Sequence, residues 1–255
     1  MSKHGKTKSM GLVAAQEPQP TESEDVYALL RESPPNILEW LLREHETKTL
    51  IKCRVDRERV DDGTMYTFVV EELSMPVMIV KQRKRGSSHM AMTLPGDRRV
   101  EKPLYTLRHN RRATEFALQH AEKSKGGDLA AVNYKLSDRD DVPRQILVLL
   151  PTVEARFKEQ LLSLLKSYHA KKETDKYVAF HNKEPVWRED IKANVLNFGG
   201  RVKKASMKNF QIVSDDNTDD VLMQFGRCAK DSFILDFKAP FCPLQALAVA
   251  LSSFN

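Results

Sequence analysis

The sequence has few of the features that mark enzymes, metalloproteins or membrane proteins. Its 255 residues include three cysteines, Cys53, Cys228 and Cys242, and none of them forms a CxxC pair. This pattern argues against a zinc site and a disulfide framework, and it favours a reducing compartment. There is no HExxH, GxSxG or Walker motif, so we predict no catalytic residue, metal or cofactor. No apolar run reaches the roughly 20 residues that a membrane-spanning helix needs.

Positive charge is concentrated in one segment of the chain. Residues 81–112 contain ten lysines and arginines but only two acidic residues, a net charge of +8 in 32 residues. Because the whole chain carries +6, the remaining residues together carry −2. This segment is either a solvated charged face or a binding site for phosphate, a polyanion or an acidic membrane surface.

The first 46 residues are predicted to be disordered or partly helical, and residues 47–255 are predicted to form the folded domain. Residues 1–25 are polar and have few large apolar side chains, a composition typical of disorder. The stretch NILEWLLREHE begins at Asn36, a suitable N-cap, and is a candidate short helix. Its apolar side chains could pack either on the body of the protein or on a partner.

From residue 48 onward the chain is predicted to be mainly β. Runs of six to nine residues, rich in β-branched and aromatic side chains, are bounded by Gly, Pro, Asp or Ser. The runs are KTLIKCRV, MYTFVVEEL, PVMIVKQ, HMAMTL, TEFALQH, LAAVNY, RQILVLL, DKYVAFH, NVLNFGG, KNFQIV, DVLMQFGR and SFILDF. One amphipathic helix is predicted near residues 153–169, on the outside of the sheet. About a dozen strands with few helices indicate a closed antiparallel barrel or a sandwich.

The last segment, FCPLQALAVALSSF (241–254), is predicted to be a helix that is apolar on every side. Such a helix must be surrounded by protein or lipid, and at about 17 Å it is too short to cross a bilayer. A closed sheet of about twelve strands encloses a space too wide for its own side chains to fill. We therefore predict that the helix threads through the barrel; the alternative is a helix packed on the exterior.

Several C-terminal stretches resemble the tubby C-terminal domain, and the resemblance extends over about residues 50–255. They are HNKEPVW (181–187), VLNFGGRV (195–202), ASMKNFQI (205–212), LMQFGR (222–227) and PLQALAVALSSF (243–254). The resemblance implies a twelve-stranded antiparallel barrel around a hydrophobic helix. It also implies a module that binds phosphoinositides, preferably phosphatidylinositol 4,5-bisphosphate, and that has no enzymatic activity.

The resemblance also implies which residues bind the headgroup. By similarity, the basic strand and the segment YTLRHN (105–110) supply the ligands, which are Lys81, Arg83, Lys84, Arg85 and Arg108. Alternate residues of a strand share one face, so Lys81, Arg83 and Arg85 are expected to point together and Lys84 away from them. Lys81, Arg83 and Arg108 are the primary candidates.

Two functional hypotheses follow from the resemblance and the charge. In the first, the chain is an adaptor that binds phosphoinositide headgroups and tethers trafficking-complex or membrane-cargo proteins. It would then be cytoplasmic and peripheral at the plasma membrane or cilium, with the nucleus as a further location. In the alternative, it is a DNA-binding or transcription-modulating protein released from the membrane. The basic segment has only Tyr105 and Phe116 nearby for base stacking, which disfavours nucleic acid.

Overall fold

The computed structural model describes residues 25–47, 49–83, 88–96, 102–135, 144–157, 163–190 and 192–254. Its strands are β1 (Ile51–Val60), β2 (Gly63–Val70), β3 (Met75–Arg83), β4 (His89–Thr93), β5 (Tyr105–His109), β6 (Glu115–His120), β7 (Ala130–Lys135), β8 (Gln145–Pro151), β9 (Tyr177–Asn182), β10 (Val186–Arg188), β11 (Ala193–Val195), β12 (Phe210–Val213), β13 (Met223–Arg227) and β14 (Ser232–Phe237). Its helices are α1 (Ala28–Arg31), α2 (Ile37–Leu42), α3 (Val153–Phe157), α4 (Leu164–His169) and α5 (Pro243–Ser252).

Twelve of the strands form a closed barrel, which confirms the predicted mainly β architecture. The order around the barrel is β1-β14-β13-β12-β9-β8-β7-β6-β5-β4-β3-β2, and β1 pairs with β2 to close it. Every pairing is antiparallel, as in the register Cys53 opposite Val70 and Cys53 opposite Leu235. Closure leaves the barrel without an exposed sheet edge that another chain could extend.

Helix α5 lies inside this barrel, as its apolar composition predicted. All ten of its residues are buried. It contacts β6, β7 and β14, and β7 and β14 are five places apart in the ring of twelve strands. Its few polar side chains have partners: Gln245 donates to the Leu129 carbonyl at 2.9 Å, and the Ser252 hydroxyl lies 2.8 Å from that of Tyr134. No described helix has both the length and the apolar character to cross a membrane.

The C-terminal end of α5 is held by aromatic rings and a lysine. The ring of Phe254 lies 4.8 Å from that of Tyr66 and 4.9 Å from that of Phe233. Lys208 donates from Nζ to the Ser253 carbonyl at 2.6 Å, where a cation complements the negative end of the helix dipole. The apolar helix is therefore enclosed along its length and at its end.

The short N-terminal helices pack on the body of the protein. Asn36 caps α2 by accepting a hydrogen bond from the Glu39 amide, which confirms the predicted N-cap. Trp40 and Leu41 are buried, the Trp40 indole donates to the Val26 carbonyl at 2.7 Å, and α2 contacts α5. The sequence left open whether this helix packs on the body of the protein or on a partner, and the structure shows it packed on the body.

Three local expectations differ from the structure. The run 194–200 was predicted as a sheet strand, but only Ala193–Val195 is extended, and it pairs with β10 in a separate two-stranded sheet. The twelfth strand of the barrel is instead β5, which was not among the predicted strands. The outer helix is described as two helices, α3 and α4. Leu164 of α4 and Ala155 of α3 pack on the outer face of β7 and β8, whereas Val153 at the start of α3 is exposed.

Helix α4 is anchored by a buried carboxylate. Asp128 accepts hydrogen bonds from the Leu164 amide at 2.9 Å and from the Gln119 side chain at 2.7 Å. Burial raises the pKa of the Asp128 carboxyl, although these hydrogen bonds oppose the shift. The anchor therefore joins α4 to β6 through one charged side chain.

The central helix is expected to be the main determinant of stability. Leu247→Ala should lower the free energy of unfolding by about 2–5 kcal/mol, because it leaves a cavity inside a closed barrel. Met207→Ala is the control, since Met207 is 87% exposed and its replacement should change stability by less than about 0.5 kcal/mol. Urea unfolding followed by circular dichroism measures both. Equal midpoints for the two variants would contradict the assigned position of α5.

Asp128→Asn should change the pH dependence of stability in the acidic range. The folded protein holds this proton more tightly than the unfolded chain does, because burial raises the pKa of Asp128. The wild type should therefore lose stability relative to Asp128→Asn as the pH rises from about 4 through the raised value. Urea titrations at several pH values measure the difference, and Asp216→Asn, at an exposed position, is the control. A difference that does not change with pH would contradict this role of the carboxylate.

Candidate anion-binding site

Strand β3 directs Lys81 and Arg83 to the outside of the barrel. Val80 is buried in the core, and Gln82 accepts a hydrogen bond from the Tyr66 hydroxyl at 3.2 Å. Burial raises the pKa of Tyr66 to about 12, so this hydroxyl remains a donor at neutral pH. Because neighbouring residues of a strand point to opposite faces, Lys81 and Arg83 face outward.

Strand β5 directs Arg108 to the same outer surface. Tyr105 and Leu107 are buried, whereas Arg108 is exposed. The side chains of Tyr105 and Leu107 thus belong to the core, and the strand presents Arg108 on its other face. The local alternation of apolar and polar residues is enough to produce this orientation.

Strand β4 lies between β3 and β5 and brings the three predicted cations together. Lys81 is opposite Ala91, and His89 is opposite Arg108. Continuing the β3–β4 register by one residue places Arg83 opposite His89. Strands are about 4.8 Å apart and rise about 3.4 Å per residue, so Arg83 and Arg108 lie about 10 Å apart and Lys81 about 7 Å along the strand from Arg83. We call Lys81, Arg83 and Arg108 the cation array.

Unlike Arg57 and Arg201, the cations of the array have no acidic partner among the described residues. Arg57 donates to Asp231 at 2.7 Å, and Arg201 donates to the buried Asp236 at 2.9 Å. Within the described part of the chain, no carboxylate forms an ion pair with Lys81, Arg83 or Arg108. Unpaired like charges on one surface repel each other, so folding alone does not explain this arrangement.

Two further arginines extend the positive surface beyond the array. Arg111 and Arg112 are exposed in the turn between β5 and β6. Asn110 holds this turn by accepting hydrogen bonds from the Thr114 amide at 2.9 Å and the Glu115 amide at 3.3 Å. These side chains add to the positive potential of the surface around the array.

Two predicted ligands, Lys84 and Arg85, lie outside the described residues, so their positions stay predictions. The structure also brings in residues that sequence reasoning did not select. His89 lies between Arg83 and Arg108 on the sheet, and Thr106 lies beyond Ala91 from Lys81. The period of two residues in HMAMTL and YTLRH indicates which side chains share a face. The register of β4 is needed to show that His89 and Thr106 lie beside the array.

A cleft on another wall of the barrel does not include the array. It has a volume of about 880 Å³ and lies between α4, the outer faces of β7, β8 and β9, and the segment after β9. Its lining residues include Lys135, Leu147, Tyr168, His181 and Asn194. No group of three or more possible metal ligands is present among the described residues. The cation array is thus separate from this cleft and lies on an open surface of the barrel wall.

Comparison with known proteins identifies the family. A model described as "Tub family" matches residues 41–255. Protein king tubby 1 of Aedes aegypti is 34% identical over 243 residues, which is 86% of this chain and 59% of that protein. Tubby-related protein 3 of Mus musculus is 34% identical over 236 residues, 80% of this chain and 51% of its own length. Tubby-related protein 1 of Mus musculus is also 34% identical, over 85% of this chain and 45% of its own length.

The chain spans about half the length of the curated relatives that it matches. The family model covers the barrel and the helix inside it. The chain belongs to the Tub family.

Proposed function

We propose that this protein binds phosphoinositide headgroups, preferably phosphatidylinositol 4,5-bisphosphate, through the cation array. The observation that carries the proposal is the convergence of Lys81, Arg83 and Arg108 on one outer surface, where no described residue is their acidic partner. A headgroup with two phosphate monoesters supplies the missing negative charge, at roughly −1.5 to −2 for each monoester. Guanidinium groups match phosphate oxygens with paired hydrogen bonds, which a lysine cannot form.

Diffuse attraction alone would be too weak for this role. It contributes about 1 kcal/mol per basic residue near an anionic surface, so three residues give only about millimolar binding. Charge-assisted hydrogen bonds contribute about 1.5–3 kcal/mol each. Three or four of them allow micromolar binding after the cost of ordering the side chains. The function therefore depends on converging geometry, which the register of β3, β4 and β5 supports.

The same surface suits single-stranded nucleic acid less well. Binding of single strands combines a basic groove with exposed aromatic rings on which bases stack. The two aromatic residues near the basic segment, Tyr105 and Phe116, are both buried in the core. The array is also compact, about 10 Å by 7 Å from the strand spacings. These observations favour a headgroup over a polynucleotide.

The proposal extends to an adaptor role with no catalytic step. A barrel held by one wall at the cytoplasmic face of the plasma membrane or cilium can carry protein cargo on another wall. No catalytic residue or cofactor is needed for that role. Duplex DNA remains the competing ligand in the experiments below, because its phosphates could also contact the array.

Replacing Lys81 and Arg83 together with alanine should weaken binding to liposomes that contain phosphatidylinositol 4,5-bisphosphate by about 100-fold or more. Two charge-assisted contacts are lost, together worth at least about 3 kcal/mol. The melting temperature should be unchanged or slightly higher, because a like-charge cluster is relieved. Liposome sedimentation and thermal unfolding measure the two quantities.

The matched control is the double variant Lys171→Ala/Lys172→Ala, which removes two exposed positive charges between α4 and β9. It should retain nearly all binding. Equal losses in both double variants would mean that net charge, and not the array, holds the protein at the membrane. Tight binding of duplex DNA, with no preference for the bisphosphate liposomes, would favour the nucleic-acid hypothesis.

A further inference from the structure

We propose that His89 and Thr106 are two further ligands of the same phosphate site, and that His89 makes binding stronger at mildly acidic pH. This inference rests on the proposed function, because it assigns ligands to the site formed by the cation array. It rests on the register of three neighbouring strands, which places both residues within the array. Neither residue belongs to the set implied by family resemblance.

His89 occupies the central position of the outer row. The row runs from Arg83 on β3 through His89 on β4 to Arg108 on β5. Directly opposed side chains have Cβ atoms about 4.5–5.5 Å apart. A phosphate held between the two guanidinium groups therefore lies over His89, within reach of an imidazole N–H. His89 is exposed on this face, so a ligand can reach it.

Thr106 belongs to the second row of the same surface. That row runs from Lys81 through Ala91 to Thr106. Ala91 has the smallest side chain of the six positions, so the centre of this row is a depression between larger neighbours. Thr106 borders the depression, and its hydroxyl oxygen is buried without a hydrogen-bond partner among the described residues.

An unpartnered buried hydroxyl is costly, and native proteins rarely keep one. A phosphate oxygen seated over Ala91 would give the Thr106 hydroxyl an acceptor. The residue is only 4% exposed, so neighbouring side chains must move for a phosphate oxygen to reach its hydroxyl. Thr106 therefore forms the inner limit of the site and the two arginines its outer limit.

The charge on His89 links binding to pH. Histidine is the side chain that commonly changes charge between pH 5 and 8. Of the described residues on the strands beside it, the charged ones are Arg83 and Lys81 from β3 and Arg108 from β5, with Asp62 before β2 and Glu115 on β6 farther away. A bound phosphate reverses the local charge, so binding and proton uptake favour each other.

The test compares affinities of the full chain and its variants at pH 6.0 and pH 7.5. The ligands are vesicles of phosphatidylcholine with phosphatidylinositol 4,5-bisphosphate and, separately, soluble inositol 1,4,5-trisphosphate. His89→Asn keeps a polar side chain that does not titrate, and His169→Asn is the control, because His169 is an exposed histidine on α4. The phosphates also change charge in this range, but equally for every variant, so the ratio of wild type to variant isolates the histidine.

We expect the affinity of the wild type, relative to His89→Asn, to rise about fivefold from pH 7.5 to pH 6.0, since a charged hydrogen bond replaces a neutral one. His169→Asn should follow the wild type at both pH values. Thr106→Val should bind about tenfold more weakly at both pH values. Its melting temperature should not fall, because an unpartnered hydroxyl is replaced by a methyl group of similar size.

Each result leads to a definite conclusion. Absence of vesicle binding by the wild type at both pH values overturns the proposed function itself. Binding with a constant ratio for His89→Asn overturns the role of His89, and unchanged binding by Thr106→Val overturns that of Thr106. The same pH ratio with the soluble trisphosphate supports direct contact with phosphate. A ratio seen only with vesicles assigns the effect to the bilayer surface and overturns direct contact.

Discussion

The structure depends on filling the interior of a twelve-stranded barrel. A closed sheet of this size is too wide for its own side chains to fill, and helix α5 supplies the missing apolar volume. The ten buried residues of α5 remove from water a helix that has no polar face. The aromatic cluster around Phe254 and the contact from α2 complete the enclosure. Neither the helix nor the empty barrel would be stable in water without the other.

A filled and closed barrel provides a firm wall for unfavourable surface chemistry. Strands β3 and β5 hold the cations of the array on one outer surface, where the described residues offer them no acidic partner, and their mutual repulsion costs stability. The core residues of the same strands, among them Val80, Met90 and Leu107, are buried and hold the register. The stability of the interior thus allows the exterior to carry unpaired positive charge. Arg201 shows the opposite use of a cation, because its carboxylate partners are internal to the protein.

Much of the fold could be predicted from local patterns. Short runs rich in β-branched and aromatic residues predicted most of the strands, and the uniform apolarity of residues 241–254 predicted a buried helix. The pattern was wrong at residues 194–200, where a hairpin outside the barrel replaces the expected sheet strand. Such a run indicates that a segment is extended, but it does not indicate which strand the segment pairs with. The two-stranded sheet of β10 and β11 satisfies the same local pattern.

The candidate site divides in the same way between sequence and structure. The sequence by itself determined that residues 81–112 are basic, that Lys81 and Arg83 share a face of one strand, and that a helix apolar on every side had to be enclosed. Only the tertiary structure decided that Arg108 lies two strands from Arg83, with His89 between them and Thr106 beside them. The physical reason is that the side-chain direction along a strand is a local property with a period of two residues. Proximity between strands is set instead by the register of backbone hydrogen bonds, which depends on how the whole barrel closes.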